Sequence, residues 1–298
     1  MKQDRGHDAE APWQIPARGW TDILRRAWKN AGEKDLSLIA GGVTYYLLVA
    51  LFPTLVALVS LYCLVANPAD VTRNTQALSG MLPSSAVQSI SDELHQLVVA
   101  SSKSLGVGLV ISIAIALWSG VRGMRGIMSA LNIAYDHRER RGFIRLNATA
   151  LLLTVAAILG SLIALALVAG LPVVLSGSSA RSAGRWIGLV VEWPVLIVGS
   201  MGMLALIYRY GPDRSKPEWK WASPGVITAT ILWIAGSVSF TFYIYHFVSY
   251  NRTYGSLGAL LVLLTWMWLS AFVVLFGAEI NGEAERQTSQ STTAGPRC

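Results

Sequence analysis

Apolar residues in this chain come in long, nearly unbroken runs, not in the short periodic stripes of a soluble helix or strand. Six stretches stand out: Ile39 to Ala66, Leu105 to Gly120, Ile144 to Leu175, Trp186 to Tyr208, Ala222 to Val248 and Leu257 to Ala278. A helix crossing about 30 Å of hydrocarbon needs roughly 20 predominantly apolar residues, and these runs meet or approach that length. The first is long for one span and short for two, which points to tilt or to a kink at Pro53. In lipid the backbone must satisfy its own polar groups, so the runs predict helices. The alternating pattern of a membrane β-barrel is absent from the sequence. The expectation is an all-α integral membrane protein of six transmembrane helices plus interfacial amphipathic helices. No cleavable signal peptide is read, because the first apolar run starts near Ile39, behind a long polar lead.

Two further segments have the pattern of helices that lie on a membrane. Thr21 could cap a helix with Trp20, Ile23, Leu24, Ala27 and Trp28 on one face, while Arg25, Arg26 and Lys29 fall towards the other. Ser84 could cap a second, with Val87, Ile90, Leu94, Leu97 and Val98 aligned. The chain therefore divides into an N-terminal segment with an amphipathic helix (1–38), a six-helix membrane domain (39–283) and a polar tail (284–298) read as disordered. No internal sequence repeat is visible.

Charge sets the orientation. Nineteen Lys and Arg residues fall in the lead, the segments after spans two and four, and the tail, against five in the intervening loops. Lys and Arg collect on cytoplasmic loops, so both termini are expected in the cytoplasm, and an even span count, which puts them on one side, agrees. The net charge of +7 is read as this bias and not as a nucleic-acid footprint. The composition, 53% hydrophobic and 14% charged, excludes an ordinary soluble domain, which carries about a quarter charged residues. Cys63 and Cys298 make no disulfide framework.

Candidate chemistry is sparse. After span two, Trp118, Arg122, Arg125, Ser129 and Asn132 recur at helical spacing and form one polar stripe. Val121, Met124, Met128 and Leu131 form an apolar face, and Gly120, Gly123 and Gly126 recur every third residue. The arginine fork suits phosphate, so Arg122, Arg125, Ser129 and Asn132 are candidates for binding an anionic headgroup. The plainer reading is a surface helix resting on ordinary lipid phosphates. Thr44, Tyr45 and Tyr46, and Tyr254 on the opposite side, are candidates for lining a cavity; an aromatic belt at the interface is the alternative. Glu192 within span four and Glu279 at the end of span six are candidates for proton coupling, since a carboxylate in a membrane must be protonated, paired or wet. Glu279 could equally mark a span boundary. The four histidines fall in different segments without ligand spacing, so no metal or cofactor is expected. Phosphate-loop, zinc-protease and nucleophile-elbow motifs are absent from the sequence.

Several blocks carry a resemblance: AGGVTYYLLVALFP (Ala40 to Pro53), LWSGVRGMRGIMSALNIAYD (Leu117 to Asp136), YRYGPDRSKPEWKW (Tyr208 to Trp221), SPGV (Ser223 to Val226) and the stretch from Tyr250 to Asn281. On these the chain, from about Trp28 to Glu283, resembles the YihY/BrkB family of bacterial inner-membrane proteins. The resemblance implies a bacterial cytoplasmic membrane and six spans. Family members have carried a ribonuclease label, regarded as a misassignment, and a serum-resistance label, and some are linked to envelope lipid or lipopolysaccharide transport. Tyr45, Tyr46, Arg122, Arg125, Asn132, Tyr135, Tyr208, Pro212, Tyr254, Gly255, Glu279 and Asn281 sit on family motif positions, none of them marked as catalytic.

The leading expectation is a transporter of a lipid or other amphipathic anion in envelope homeostasis, not an enzyme. Its expected partners are membrane lipids and envelope-assembly proteins, with no nucleic acid. A non-transporting scaffold and a membrane-bound hydrolase are the alternatives. The hydrolase lacks a nucleophile, base or metal cluster at readable spacing.

Overall fold

A computed structural model describes residues 14–65, 102–176, 181–214, 223–247 and 256–287. These residues form seven helices: α1 (Ala17–Glu33), α2 (Leu36–Val65), α3 (Ser102–Ala134), α4 (Phe143–Ser176), α5 (Arg181–Tyr210), α6 (Pro224–Phe247) and α7 (Ser256–Gln287). No strand occurs among the described residues. Each of the six apolar runs lies on its own helix, α2 to α7. The shortest, α6, has 24 residues and is about 36 Å long at 1.5 Å per residue, enough to cross a bilayer core.

Four helical stretches are long and apolar enough to span over their described residues: Phe143–Ala164, Trp193–Tyr210, Pro224–Tyr243 and Leu260–Gln287. A fifth is reached if the bent pair Ala17–Glu33 and Leu36–Leu51 counts as one span. The other two expected runs lie on α2 and α3, parts of whose side chains fall outside the described residues. The segment expected to form the helix capped by Ser84 lies outside them altogether.

The chain divides into two compact units, Met1–Tyr45 with Met124–Cys298, and Tyr46–Gly123. In the first, α4 packs on α5, α5 on α6, α6 on α7 and α7 on α1. The α6–α7 pair is close because both helices present glycine. A Cβ on Gly225 would overlap the carbonyl of Gly277 and the side chain of Asn281; one on Gly277 would overlap Ala229 and the Tyr208 hydroxyl. Small residues let helix backbones approach in this way.

The start of α1 departs from expectation. The helix begins at Ala17, with Pro16 in extended geometry at its N-cap. The ring fixes φ at about −65°, a value this extended position accommodates. The N–H groups of Gly19 and Trp20 donate to the Pro16 carbonyl. Thr21 thus stands inside the first turns and is not a cap; its hydroxyl donates back to the Arg18 carbonyl at 2.8 Å.

The apolar face of α1 is also divided. Gly19, Ile23, Ala27 and Ala31 are buried, a row spaced by four and small apart from Ile23, which suits packing on α7. Leu24 and Trp28 stay exposed, although Trp28 meets Phe276 edge-on at 5.9 Å. At the far end of the chain, α7 continues to Gln287. Glu283 and Gln287 are both buried there and both accept hydrogen bonds from Arg26.

Candidate functional site

The residues where α1, α7 and the α3–α4 connection meet form a dense ionic cluster. Lys34 stands just past the end of α1, and Asp35 follows in the left-handed region (φ 51°). This turn, which a short polar side chain tolerates, ends α1 and starts α2. The Lys34 ammonium lies 2.8 Å from Glu279, 3.1 Å from Asp136 and 2.9 Å from the Ala134 carbonyl. Glu279 is fully buried and also accepts from the Asn30 amide at 3.0 Å. One turn along α7, Glu283 takes Arg26 at 2.7 Å, Asn30 at 2.8 Å and Arg286 at 2.8 Å. Arg286 also reaches Asp136 at 2.8 Å. Three carboxylates thus face three cations. A buried charge is tolerable only when paired and hydrogen-bonded, and i, i+4 spacing puts Glu279 and Glu283 on one face of α7.

A second polar layer adjoins it. Asn281 accepts from the Gly225 N–H at 2.7 Å and donates to Ser223 at 3.0 Å and to the Tyr135 hydroxyl at 3.2 Å. The Gly225 N–H belongs to the first turn of α6, where backbone donors have no partner within the helix; Asn281 caps that helix from α7. Burial pushes the Tyr135 phenol well above its usual range, opposed by the nearby Arg214, whose guanidinium lies 4.3 Å from the Tyr135 ring centre.

The C-terminal end of α5 is held in the same style. Arg141 donates to the carbonyls of Tyr210 and Gly211, at 3.0 and 2.6 Å, and Arg214 to that of Tyr208 at 2.6 Å. Cations are favoured there because the last carbonyls of a helix are unsatisfied and its dipole is negative. Glu139 grips Arg141 with both oxygens, each at 2.7 Å. The Arg141 side chain, followed by burial, its backbone N–H and the Asn132 amide, sets the Glu139 carboxyl, and the net effect is to lower it below the usual value.

The candidates from the sequence fall into different settings. Val121 is half-buried while Met124, Met128 and Leu131 are buried, so the apolar face of α3 packs inward as expected. Arg122, Arg125 and Ser129 are exposed. The Arg122 guanidinium lies over the Trp118 ring at 4.0 Å, and Arg125 makes a long 3.4 Å contact to the Asn147 side chain. Asn132 is different: it is buried, donates to Glu139 at 2.9 Å and accepts from the Asp213 N–H at 2.8 Å. Its amide ties two connections together.

Thr44 is buried and donates to the Ala40 carbonyl of its own helix at 2.8 Å. Tyr45 and Tyr46 are exposed. Glu192 lies on α5, but its side chain is outside the described residues, as is all of Tyr254. Among the described residues no group of three or more His, Cys, Asp and Glu could hold a metal ion.

Reading by residue type picked out Glu279 but none of its partners. Lys34 and Asn30 lie 245 and 249 positions from it, and Arg26 lies 257 positions from its neighbour Glu283. The available signal was the spacing of four, Arg26-Asn30-Lys34 along α1 and its C-cap matching Glu279-Glu283-Gln287 on another helix.

Long apolar helices with their backbone polarity satisfied internally, and charge gathered at helix ends, define an all-α multi-pass membrane protein. The model of the family described as virulence factor BrkB matches residues 27–297, and the chain belongs to that family. It is similar to YfkH of Bacillus subtilis, whose name calls it ribonuclease-like, at 31% identity over 87% of this chain and 92% of that one. It is also similar to a UPF0761 membrane protein of Idiomarina loihiensis, 29% identical over 90% of this chain and 92% of the relative. A UPF0761 membrane protein of Haemophilus influenzae is 27% identical over 85% and 91%. No solved structure matches.

Proposed function

We propose that this protein moves a lipid or another amphipathic anion across the bacterial inner membrane, with both termini in the cytoplasm. The observation that carries this reading is the state of Arg122 and Arg125. Each is exposed, and each is held by an uncharged partner, Trp118 or Asn147. A guanidinium stacked on an indole keeps its edge free to donate two parallel hydrogen bonds to a phosphate or carboxylate. Ser129, exposed one turn further on, adds a hydroxyl for the same headgroup. Movement of a fluorescent phospholipid between leaflets, followed in vesicles reconstituted with purified protein, tests the reading. The protein accelerates the exchange, and Arg122→Ala with Arg125→Ala abolishes the acceleration while insertion is retained. Equal exchange with and without protein, or a fully active double variant, overturns it.

Glu279 and Glu192 are the groups through which such movement couples to protons. Glu279 supports that role by its buried contact with Lys34, whose charge must be rebalanced whenever the carboxyl changes state. The same assay run across pH with Glu279→Gln and with Glu192→Gln shifts the profile; unaltered profiles remove the coupling.

A scaffold reading draws on the mutual pairing of the ionic cluster, which suits a fixed architecture. It predicts activity in cells that survives loss of both stripe arginines. A hydrolase reading rests on the name of the Bacillus relative and predicts RNA cleavage by the purified protein with added divalent metal.

A further inference from the structure

The outer flank of α1 has no role in the cluster that holds its inner face. Rows of four on this helix separate cleanly. Gly19, Ile23, Ala27 and Ala31 face the protein, and Arg26 and Asn30 reach α7. Trp20, Leu24 and Trp28 follow on one side; Trp20 is half-buried, Leu24 is 44% exposed and Trp28 68%. Beyond them, at about 100° per residue, come Arg25 and Lys29, both exposed. Lys29 also meets Glu33 at 3.3 Å, with both side chains mostly in solvent, a pairing that contributes little.

The place of this flank says what covers it. Trp28 meets Phe276 edge-on at 5.9 Å, and Phe276 lies near the end of the apolar run on α7, so this flank begins where the apolar belt ends. Leu38, three residues past the turn at Asp35, is 76% exposed, which sets the turn at the edge of the apolar belt. An apolar row with two tryptophans, flanked by cations and lying at that level, matches the headgroup region of a leaflet. The cations choose among leaflets: each basic residue near an anionic surface changes the bound population about fivefold.

We propose that the Trp20–Leu24–Trp28 flank of α1, with Arg25 and Lys29, is a docking surface for anionic lipid. It is distinct from the Arg122 and Arg125 site and holds whether or not the protein transports anything. α1 is then shared between protein and membrane: one side is fixed to α7 by ion pairs and the other is seated on headgroups.

The full-length protein tests this after Cys63→Ser and Cys298→Ser, with Gly32→Cys as a label site. A Cβ at Gly32 meets nothing within 4 Å, and the position is one turn beyond Trp28. An environment-sensitive fluorophore there is expected to shift to the blue and to resist iodide quenching in phosphatidylcholine–phosphatidylglycerol vesicles. In phosphatidylcholine alone it is expected to be quenched. Arg25→Glu with Lys29→Glu cancels the difference, and so does high salt. Retained ion pairing of Arg26, read as unchanged protease resistance of α1, shows that the variant is folded. Quenching in both vesicles, equal shielding in both (cover by neutral lipid or a second copy), or an acidic variant that keeps the response each overturns the proposal.

Discussion

Arginine is used in two opposite ways in this molecule. Arg26, Arg141, Arg214 and Arg286 each sit on a carboxylate, at 2.7 to 2.8 Å, and the last three are largely buried. Arg122 and Arg125 are exposed and rest on an indole and an amide. A guanidinium withdrawn from water must recover its hydration from fixed partners, which commits it to the architecture. One left at the surface keeps its charge for something that arrives. The contrast separates residues that hold the fold from residues available to a ligand.

The committed end of this contrast gives the largest effect. Replacing Lys34 with Met strands Glu279 and Asp136 without their common cation. Breaking a buried pair by removing one partner costs about 3–5 kcal/mol. Thermal unfolding in detergent is expected to show a loss of that order for Lys34→Met and recovery of much of it in Lys34→Met with Glu279→Leu, where both charges are gone. A single variant as stable as the parent would erase the distinction drawn here.

A smaller effect comes from pH. Glu139 is held below the usual carboxylate value chiefly by Arg141, so its charged form is favoured by folding. The stability it contributes is full above the unfolded value, near 4.3, and is lost as pH falls from there through the depressed folded value. The melting temperature of the parent should therefore drop more steeply below that point than that of Glu139→Gln. Parallel curves would mean that Arg141 is held by the Tyr210 and Gly211 carbonyls alone.

How much of this was legible in the sequence follows from the same physics. The six apolar runs were visible because span length is local, and each fell on a helix, although α3 runs on to Ala134 and α7 to Gln287, well past the apolar limits. The buried face Met124, Met128 and Leu131 was equally local. Pro16 as the start of α1 was missed because Thr21 gave a competing capping signal, and the structure spends that hydroxyl inside the helix. Asn132 was grouped with Arg125 by helical spacing, yet it is drawn inward by Glu139 and Asp213, seven and eighty-one positions away. Spacing along one helix reports a face, not what lies opposite. The cap that Asn281 places on α6 was invisible for that reason, since its partners come from two distant segments.

The available end of the contrast is expected to give the smallest effect on stability and a graded one on activity. Arg122→Lys with Arg125→Lys keeps both charges and both exposed positions, and substitutions away from packed features usually stay within about 0.5 kcal/mol. Lysine loses the planar fork, the stacking on Trp118 and the paired donors that fit a phosphate. If the stripe binds an anionic headgroup by shape, the lysine variant moves lipid more slowly than the parent and faster than the alanine variant, at unchanged melting temperature. If only net charge matters, as for a surface helix resting on the leaflet, lysine and arginine are equivalent. Equal rates would therefore return Arg122 and Arg125 to the role of orienting charges, and leave the ionic cluster of α1 and α7 as the place where the chemistry of this family must be sought.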